Sequence, residues 1–281
     1  MRKLIHLLFI LLCLAPEVVS AKTSSRKGTS RKNAAVLEYT QNPHVAPEIW
    51  EELKPYFLPP NHPVKRRLDK IFKGTRVIAT LEAIKEAGFL NPVPQRWSKT
   101  IVTGHPHLPG YMVKMFSDEQ APDSHLVDHK AFLRRILGAM ATRAYIKEHK
   151  LDHWFKAPKK WIYPLPADPG PLPGALDRQN FILIAEDMDI YHGSSNYKRW
   201  HREVKDDRLR ALYNICQTLG LKESILAFNC PFCKDGKQAF LDTEYHHDWP
   251  IYYQRMMRWL SSDMQSYFWD AINAETCKKA N

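Results

Sequence analysis

The hydrophobic period changes near residue 100, and that change limits what this chain can fold into. Thr100-Ile101-Val102-Thr103 and Gly110-Tyr111-Met112-Val113-Lys114-Met115-Phe116 read as two strands. The Gly-His-Pro-His-Leu-Pro loop between them predicts a hairpin. Residues 124 to 149 then carry Leu126, Leu133, Ile136, Leu137, Met140 and Ala144 at helical spacing. Lys130, Arg134, Arg143 and Lys147 give this long helix a basic face, whose ordinary use is contact with solvent.

Shorter helices are expected before the hairpin, over residues 47–57, 64–73 and 78–87, the last stopped by Gly88. After the long helix, Lys160-Trp161-Ile162-Tyr163 reads as a strand. A run of prolines between residues 158 and 173 marks an irregular connection. Phe181 to Ala185 is a buried strand that runs into Glu186-Asp187-Met188-Asp189. Residues 193–200 read as polar loop, and 205–220 as a helix ended by Gly220. A short strand over Ala239-Phe240-Leu241 ends on Asp242, and an aromatic-rich helical tail runs from Ile251 to Ala274. The fold class is therefore α+β, with a sheet-rich half before a helical half.

The chain has 281 residues, 44% hydrophobic and 25% charged. This is globular composition and excludes a mainly disordered or collagen-like chain. Gly is scarce at 11 and Pro abundant at 20, which disfavours a glycine-rich nucleotide fold of the Rossmann type. The formal charge of +11 points to acidic partners, an acidic protein or an anionic surface among them, with nucleic acid not favoured. Arg2 and Lys3, the apolar run Leu4–Leu14, and Val19-Ser20-Ala21 read as a secretory signal peptide over residues 1–21. Export to a periplasmic or extracellular space is the expectation, with no transmembrane segment in the mature chain. Lys22, Arg26, Lys27, Arg31 and Lys32 sit among Ser and Thr without an acid, and a flexible basic arm is expected over residues 22–45. A helical extension would follow over residues 46–94.

The remaining residues hold a suggestive series. Lys114 lies on a central strand, a long helix follows, and an apolar strand enters Glu186-Asp187-Met188. Then comes Asn229-Cys230-Pro231-Phe232-Cys233-Lys234-Asp235-Gly236-Lys237-Gln238-Ala239-Phe240-Leu241-Asp242, with a Lys-Asp-Gly turn between Asn229 and Asp242. In this the chain resembles the protein-kinase-like superfamily, including its aminoglycoside- and choline-kinase-like branches. The resemblance covers roughly residues 95–260 and implies a two-lobed fold. Residues 95–190 would be the N-lobe-like region and 191–281 a short C-lobe-like region. It implies ATP and Mg²⁺ as cofactors. Lys114 would contact the phosphates, Glu186 to Met188 would lie beside the adenine, and Asn229 and Asp242 would ligate the metal.

The departures from that pattern bear on activity. The position of the catalytic aspartate is Ser224, with Glu223 beside it as a substitute base. No glycine-rich loop precedes Lys114, and the long helix carries no acid near its middle; Asp128, near its start, is the candidate partner for Lys114. The reading is a pseudokinase or atypical nucleotide-binding protein, with an active ATP- and Mg²⁺-dependent phosphotransferase as the alternative.

A second alternative rests on Cys230-Pro231-Phe232-Cys233, a thiol-redox spacing. Its context is poor, because the motif runs into a turn and a strand rather than a helix. Cys216, Cys230, Cys233 and Cys277 permit two disulfides, with a local Cys230–Cys233 bridge or two partly buried thiols preferred over a redox centre. A zinc site of Cys230, Cys233, His246 and His247 is disfavoured, because adjacent histidines project in different directions.

Overall fold

The computed structural model describes residues 38–96, 98–120 and 128–273. The expected signal peptide, residues 22–37 of the expected arm, Cys277, the side chain of Asp128 and the first turn of the expected long helix lie outside the described residues. The expected arm is not uniformly free of the fold. Asn42 and Val45 are buried, and the Tyr39 hydroxyl donates to the Leu58 carbonyl at 2.9 Å.

The helical extension holds three short helices, α1 (Pro47–Leu53), α2 (Pro63–Ile71) and α3 (Leu81–Glu86). Proline opens α1 and α2, where its missing N–H costs nothing. Thr80 caps α3 by accepting from the Ala83 N–H at 3.0 Å. The expected hairpin forms as β1 (Ile101–Gly104) and β2 (Tyr111–Met115), and the long helix as α4 (Asp128–Glu148). The chain continues through β3 (Phe155–Lys156), β4 (Lys160–Pro164) and β5 (Phe181–Glu186). The main sheet is antiparallel in the order β1-β2-β5-β4, so β2 is an interior strand.

The sheet alternation sorts its side chains onto two faces. Val113, Met115, Ile182, Ile184 and Tyr163 pack with Leu58, Val64, Leu68, Phe72 and Ile84 of the helical extension. Leu183, Phe181 and Ile162 face the other way, toward Phe132 and Ile136 of α4 and Trp50 and Leu53 of α1. Lys114 and Lys160 belong by alternation to this second face. Lys114 pairs with Leu183, and Lys160 with Ala185 one row along.

The extension is tied to the sheet half by charge as well as packing. Arg76 Nε and Nη2 reach the two carboxylate oxygens of Asp118 at 2.8 Å each, and both side chains are almost fully buried.

The helical half begins with α5 (Gly193–Glu203) and α6 (Asp206–Leu219). Residues 193–200 are therefore helix, not the expected polar loop. Their polarity conceals two anchors one helical turn apart. Asn196 donates to the Ala227 carbonyl at 2.7 Å and accepts from the Phe232 N–H at 2.9 Å. Trp200, fully buried, donates to the Cys230 carbonyl at 3.1 Å. Gly220 ends α6 in the left-handed conformation, as expected, at φ +61°. β6 (Gln238–Ala239) pairs in parallel with β3. The tail folds as α7 (Gln254–Met257), α8 (Ser262–Tyr267) and a π-helical turn over Phe268–Asn273. The core of this half gathers Trp200, Leu212, Ile215, Phe232, Phe240 and Phe268. Among the described residues, no helix is long and apolar enough to cross a membrane.

Candidate functional site

The segment from Asn229 to Asp242 folds back on itself around its Lys-Asp-Gly turn. Cys233 N donates to the Lys237 carbonyl at 2.7 Å, Ala239 N to Pro231 at 2.9 Å, and Leu241 N to Asn229 at 2.8 Å. Gly236, at φ +81°, takes the backbone conformation this turn requires. The ladder brings Asn229 and the residue before Asp242 opposite each other at the open end. The turn end is held by the connection after β5: Tyr191 N donates to the Phe232 carbonyl at 2.8 Å and Lys234 N to Asp189 at 2.9 Å.

Beyond this hairpin, residues 242–244 run against α4. Gly138 makes the approach feasible, since a Cβ there would lie 2.1 Å from the Thr243 carbonyl oxygen. The Thr243 hydroxyl donates to the Arg135 carbonyl at 2.8 Å. Lys160 Nζ donates to the Thr243 hydroxyl at 3.1 Å, the Leu241 carbonyl at 3.0 Å and the Arg135 carbonyl at 3.3 Å. One buried ammonium thus ties β4, α4 and the end of the hairpin together.

A charge cluster results. The Arg135 guanidinium bonds Glu244 through Nη2, and its Nε lies 3.7 Å from Asp242 Oδ1. Lys114 on β2 interacts electrostatically with Asp242, Arg135 and Glu244. Burial alone would raise the Asp242 carboxyl, but Lys114, Arg135 and Lys160 outweigh it and hold its pKa down at about 2. Burial pushes the Lys160 ammonium well below its ordinary value, and Lys114 pushes it further; the Asp242 charge acts against both. Lys114 is lowered by burial too, again against the pull of Asp242. Burial pushes Glu244 up despite its bond to Arg135.

The sequence-expected residues fall into three groups. Lys114, Asn229 and Asp242 are brought toward one region, and Lys114 sits on an interior strand rather than an exposed edge. Glu186 is the last residue of β5 and Met188 lies on the connection after it. The Glu186 carboxylate accepts from Lys159 N at 2.8 Å, and the Met188 carbonyl accepts from Lys156 Nζ at 3.3 Å. Glu223, the expected substitute base, pairs its carboxylate with Arg255 at 2.7 Å. Ser224, at the position of the missing aspartate, donates its hydroxyl to the Asp242 carbonyl at 2.7 Å and is nearly fully buried.

Arg135, Lys160 and Glu244 are site residues that sequence reasoning missed. Arg135 lies one helical turn before Gly138. A glycine inside a long helix was the available sign that another backbone comes close there.

A divalent metal fits this region poorly. Asn229 donates its amide to the Glu223 carbonyl at 3.0 Å, which leaves its Oδ1 as a donor atom for a metal. The Asp242 carboxylate, however, already answers three cations, and Glu244 is bonded to Arg135. An incoming Mg²⁺ would be repelled by the same charges that hold Asp242 ionised. Among the described residues, no group of three or more His, Cys, Asp or Glu is placed to hold a metal. This includes the Cys230, Cys233, His246 and His247 set.

The cysteines are free thiols rather than a bridge. Cys216, Cys230 and Cys233 are unpaired and buried. Burial raises the Cys233 pKa to about 11 in spite of Lys156, and raises Cys230 further. An activated redox thiol needs the opposite shift.

No protein-family model matches this sequence, and no curated protein sequence matches it closely enough to count as a relative. Among solved structures, the chain is similar to that of the Rv3197–erythromycin complex from Mycobacterium tuberculosis, at 13% identity and a TM-score of 0.32. The match covers 72% of this chain and 55% of that one, so the chain spans little more than half the length of its structural neighbour. At that score the likeness carries no argument about this protein.

Proposed function

We propose that this protein is a kinase-like nucleotide-binding protein that does not transfer phosphate. The observation that carries the reading is the convergence of Lys114, from an interior strand, with Asp242, from the far end of the Asn229 hairpin. The chain order supports it: a strand lysine, a long helix, two more sheet strands, a connection, helices, then the hairpin that ends on an aspartate. Among the described residues Lys114 has no hydrogen-bond or ion-pair partner, which leaves its ammonium available to a phosphate. The end of β5 at Glu186 and the connection after it, with Met188, are the proposed neighbours of the base, and that connection borders the same hairpin.

The absence of transfer follows from the groups at the expected base position. Ser224 is buried in a hydrogen bond to a carbonyl, and Glu223 is engaged in an ion pair with Arg255. Neither is placed to take a proton from an attacking hydroxyl. The acidic partner expected from the net charge is proposed to meet Lys198, His201, Arg202 and Arg258, which surround Tyr197 and Trp259 in a shallow hollow.

Thermal unfolding with millimolar ATP tests this reading. A rise in Tm with ATP, weakened by Lys114→Met, together with no label transfer from γ-labelled ATP, is the expected result. Transfer that exceeds a Lys114→Met control would show an active enzyme instead.

A further inference from the structure

Accepting the nucleotide-binding reading, we infer that the phosphates are held by Lys114 and Arg135 without a divalent metal, with Asp242 serving as a counter-ion for those cations.

The argument begins with unsatisfied donors. Arg135 is nearly fully buried, its side chain 5% exposed. Its Nη2 is used on Glu244, yet neither Nε nor Nη1 has a hydrogen-bond partner; Asp242 stands beyond hydrogen-bond distance of Nε at 3.7 Å. Buried donors normally find an acceptor, because leaving one unmade carries the full cost of its desolvation. Lys114 adds a second cation without a partner among the described residues. Unused donors on Arg135 and Lys114 call for a ligand rich in anionic oxygens. A guanidinium has the planar fork that suits phosphate.

Charge points the same way. Lys114, Arg135 and Lys160 face Asp242 and Glu244, an excess of positive charge before any ligand arrives. In a metal-dependent phosphate site the protein supplies carboxylates and the ion supplies the positive charge. Here the protein supplies the positive charge itself, from Lys114 on β2 and Arg135 on α4. Lys160 is an unsuitable third contact, because its ammonium is already donated to three acceptors inside the fold.

The test is calorimetric titration of the full chain with ATP, in EDTA and in excess Mg²⁺. The expected result is binding in EDTA as tight as in Mg²⁺ or tighter. Asp242→Asn should tighten binding in EDTA, since it removes a competing negative charge without changing shape. Arg135→Gln should weaken it about tenfold or more, the loss of one charge-assisted contact. Where Arg135→Gln fails to fold, the wild-type comparison and Mn²⁺ alone suffice, with no Mn²⁺ binding expected by electron paramagnetic resonance. ATP binding that needs Mg²⁺, or is abolished by Asp242→Asn in a folded protein, would overturn the inference and leave nucleotide binding intact. No binding under either condition would overturn both.

Discussion

The hydroxyl of Thr243 donates a 2.8 Å hydrogen bond to the main-chain carbonyl of Arg135. The bond fixes the segment that bears Asp242 and Glu244 to the middle of α4, and Gly138 one turn later allows the approach. Gly138→Ala would set a methyl group 2.1 Å from the Thr243 carbonyl oxygen. That contact is with backbone, so the segment must move. The expected cost is on the order of 2–4 kcal/mol of unfolding free energy, as for overpacking joined to the loss of a buried hydrogen-bond network. Urea denaturation measures it. An unchanged midpoint would mean that the segment is not held against α4.

Asp242 makes stability depend on acid. Its pKa is about 2 in the fold, against 3.8 for an unperturbed aspartate. Because the folded value is depressed, the contribution is fully present above the unfolded pKa and is lost as pH falls through the folded one. The shift corresponds to about 2 kcal/mol. Wild type should exceed Asp242→Asn by roughly that amount near pH 6. The difference should shrink below pH 4 and nearly vanish below pH 2. A difference independent of pH would remove Asp242 from the charge cluster.

The helical extension should be energetically inseparable from the sheet half. Asp118→Ala leaves the Arg76 guanidinium buried without its carboxylate. Breaking a buried pair on one side costs about 3–5 kcal/mol. Denaturant unfolding should show a single transition at a lower midpoint. A loss below about 1 kcal/mol, the range of an exposed pair, would contradict the burial seen at this pair.

The thiols should be silent in the native state. Cys230 is buried with its pKa raised, and Cys233 is raised to about 11. Site-resolved alkylation at pH 8 should leave Cys216, Cys230 and Cys233 unlabelled until denaturant is added. Rapid native labelling of Cys233, or a Cys230–Cys233 disulfide in the purified protein, would revive a redox role.

Much of the sheet half was legible because its signals are local. Alternation gives β1 and β2, uninterrupted apolar character gives β5, and Gly220 stops α6. The hairpin from Asn229 was legible through its Asp-Gly turn. α5 was missed because its buried face consists of Asn196 and Trp200, and an asparagine that satisfies two backbone groups leaves no hydrophobic signature. The charge cluster was half legible. Lys114 and Asp242 are visible by their order in the chain. Arg135 looks like one more base on a basic helix until the fold turns it inward to Glu244, and Lys160 like an ordinary strand-end lysine until three acceptors close on it. Pairings between residues so distant in sequence are set by packing, which no local pattern encodes.

The account rests on Lys114 as a phosphate-binding cation, and direct titration of ATP into wild type and Lys114→Met is its most immediate test. Lys114 is one of the three cations that hold the Asp242 pKa down, so the substitution should also cost some stability near neutral pH, and affinities are compared at a temperature where both proteins are folded. Wild type should bind ATP, and Lys114→Met should bind it about tenfold more weakly or worse. Equal affinity in the two proteins, or no heat of binding in wild type, would contradict the claim that Lys114 holds a nucleotide.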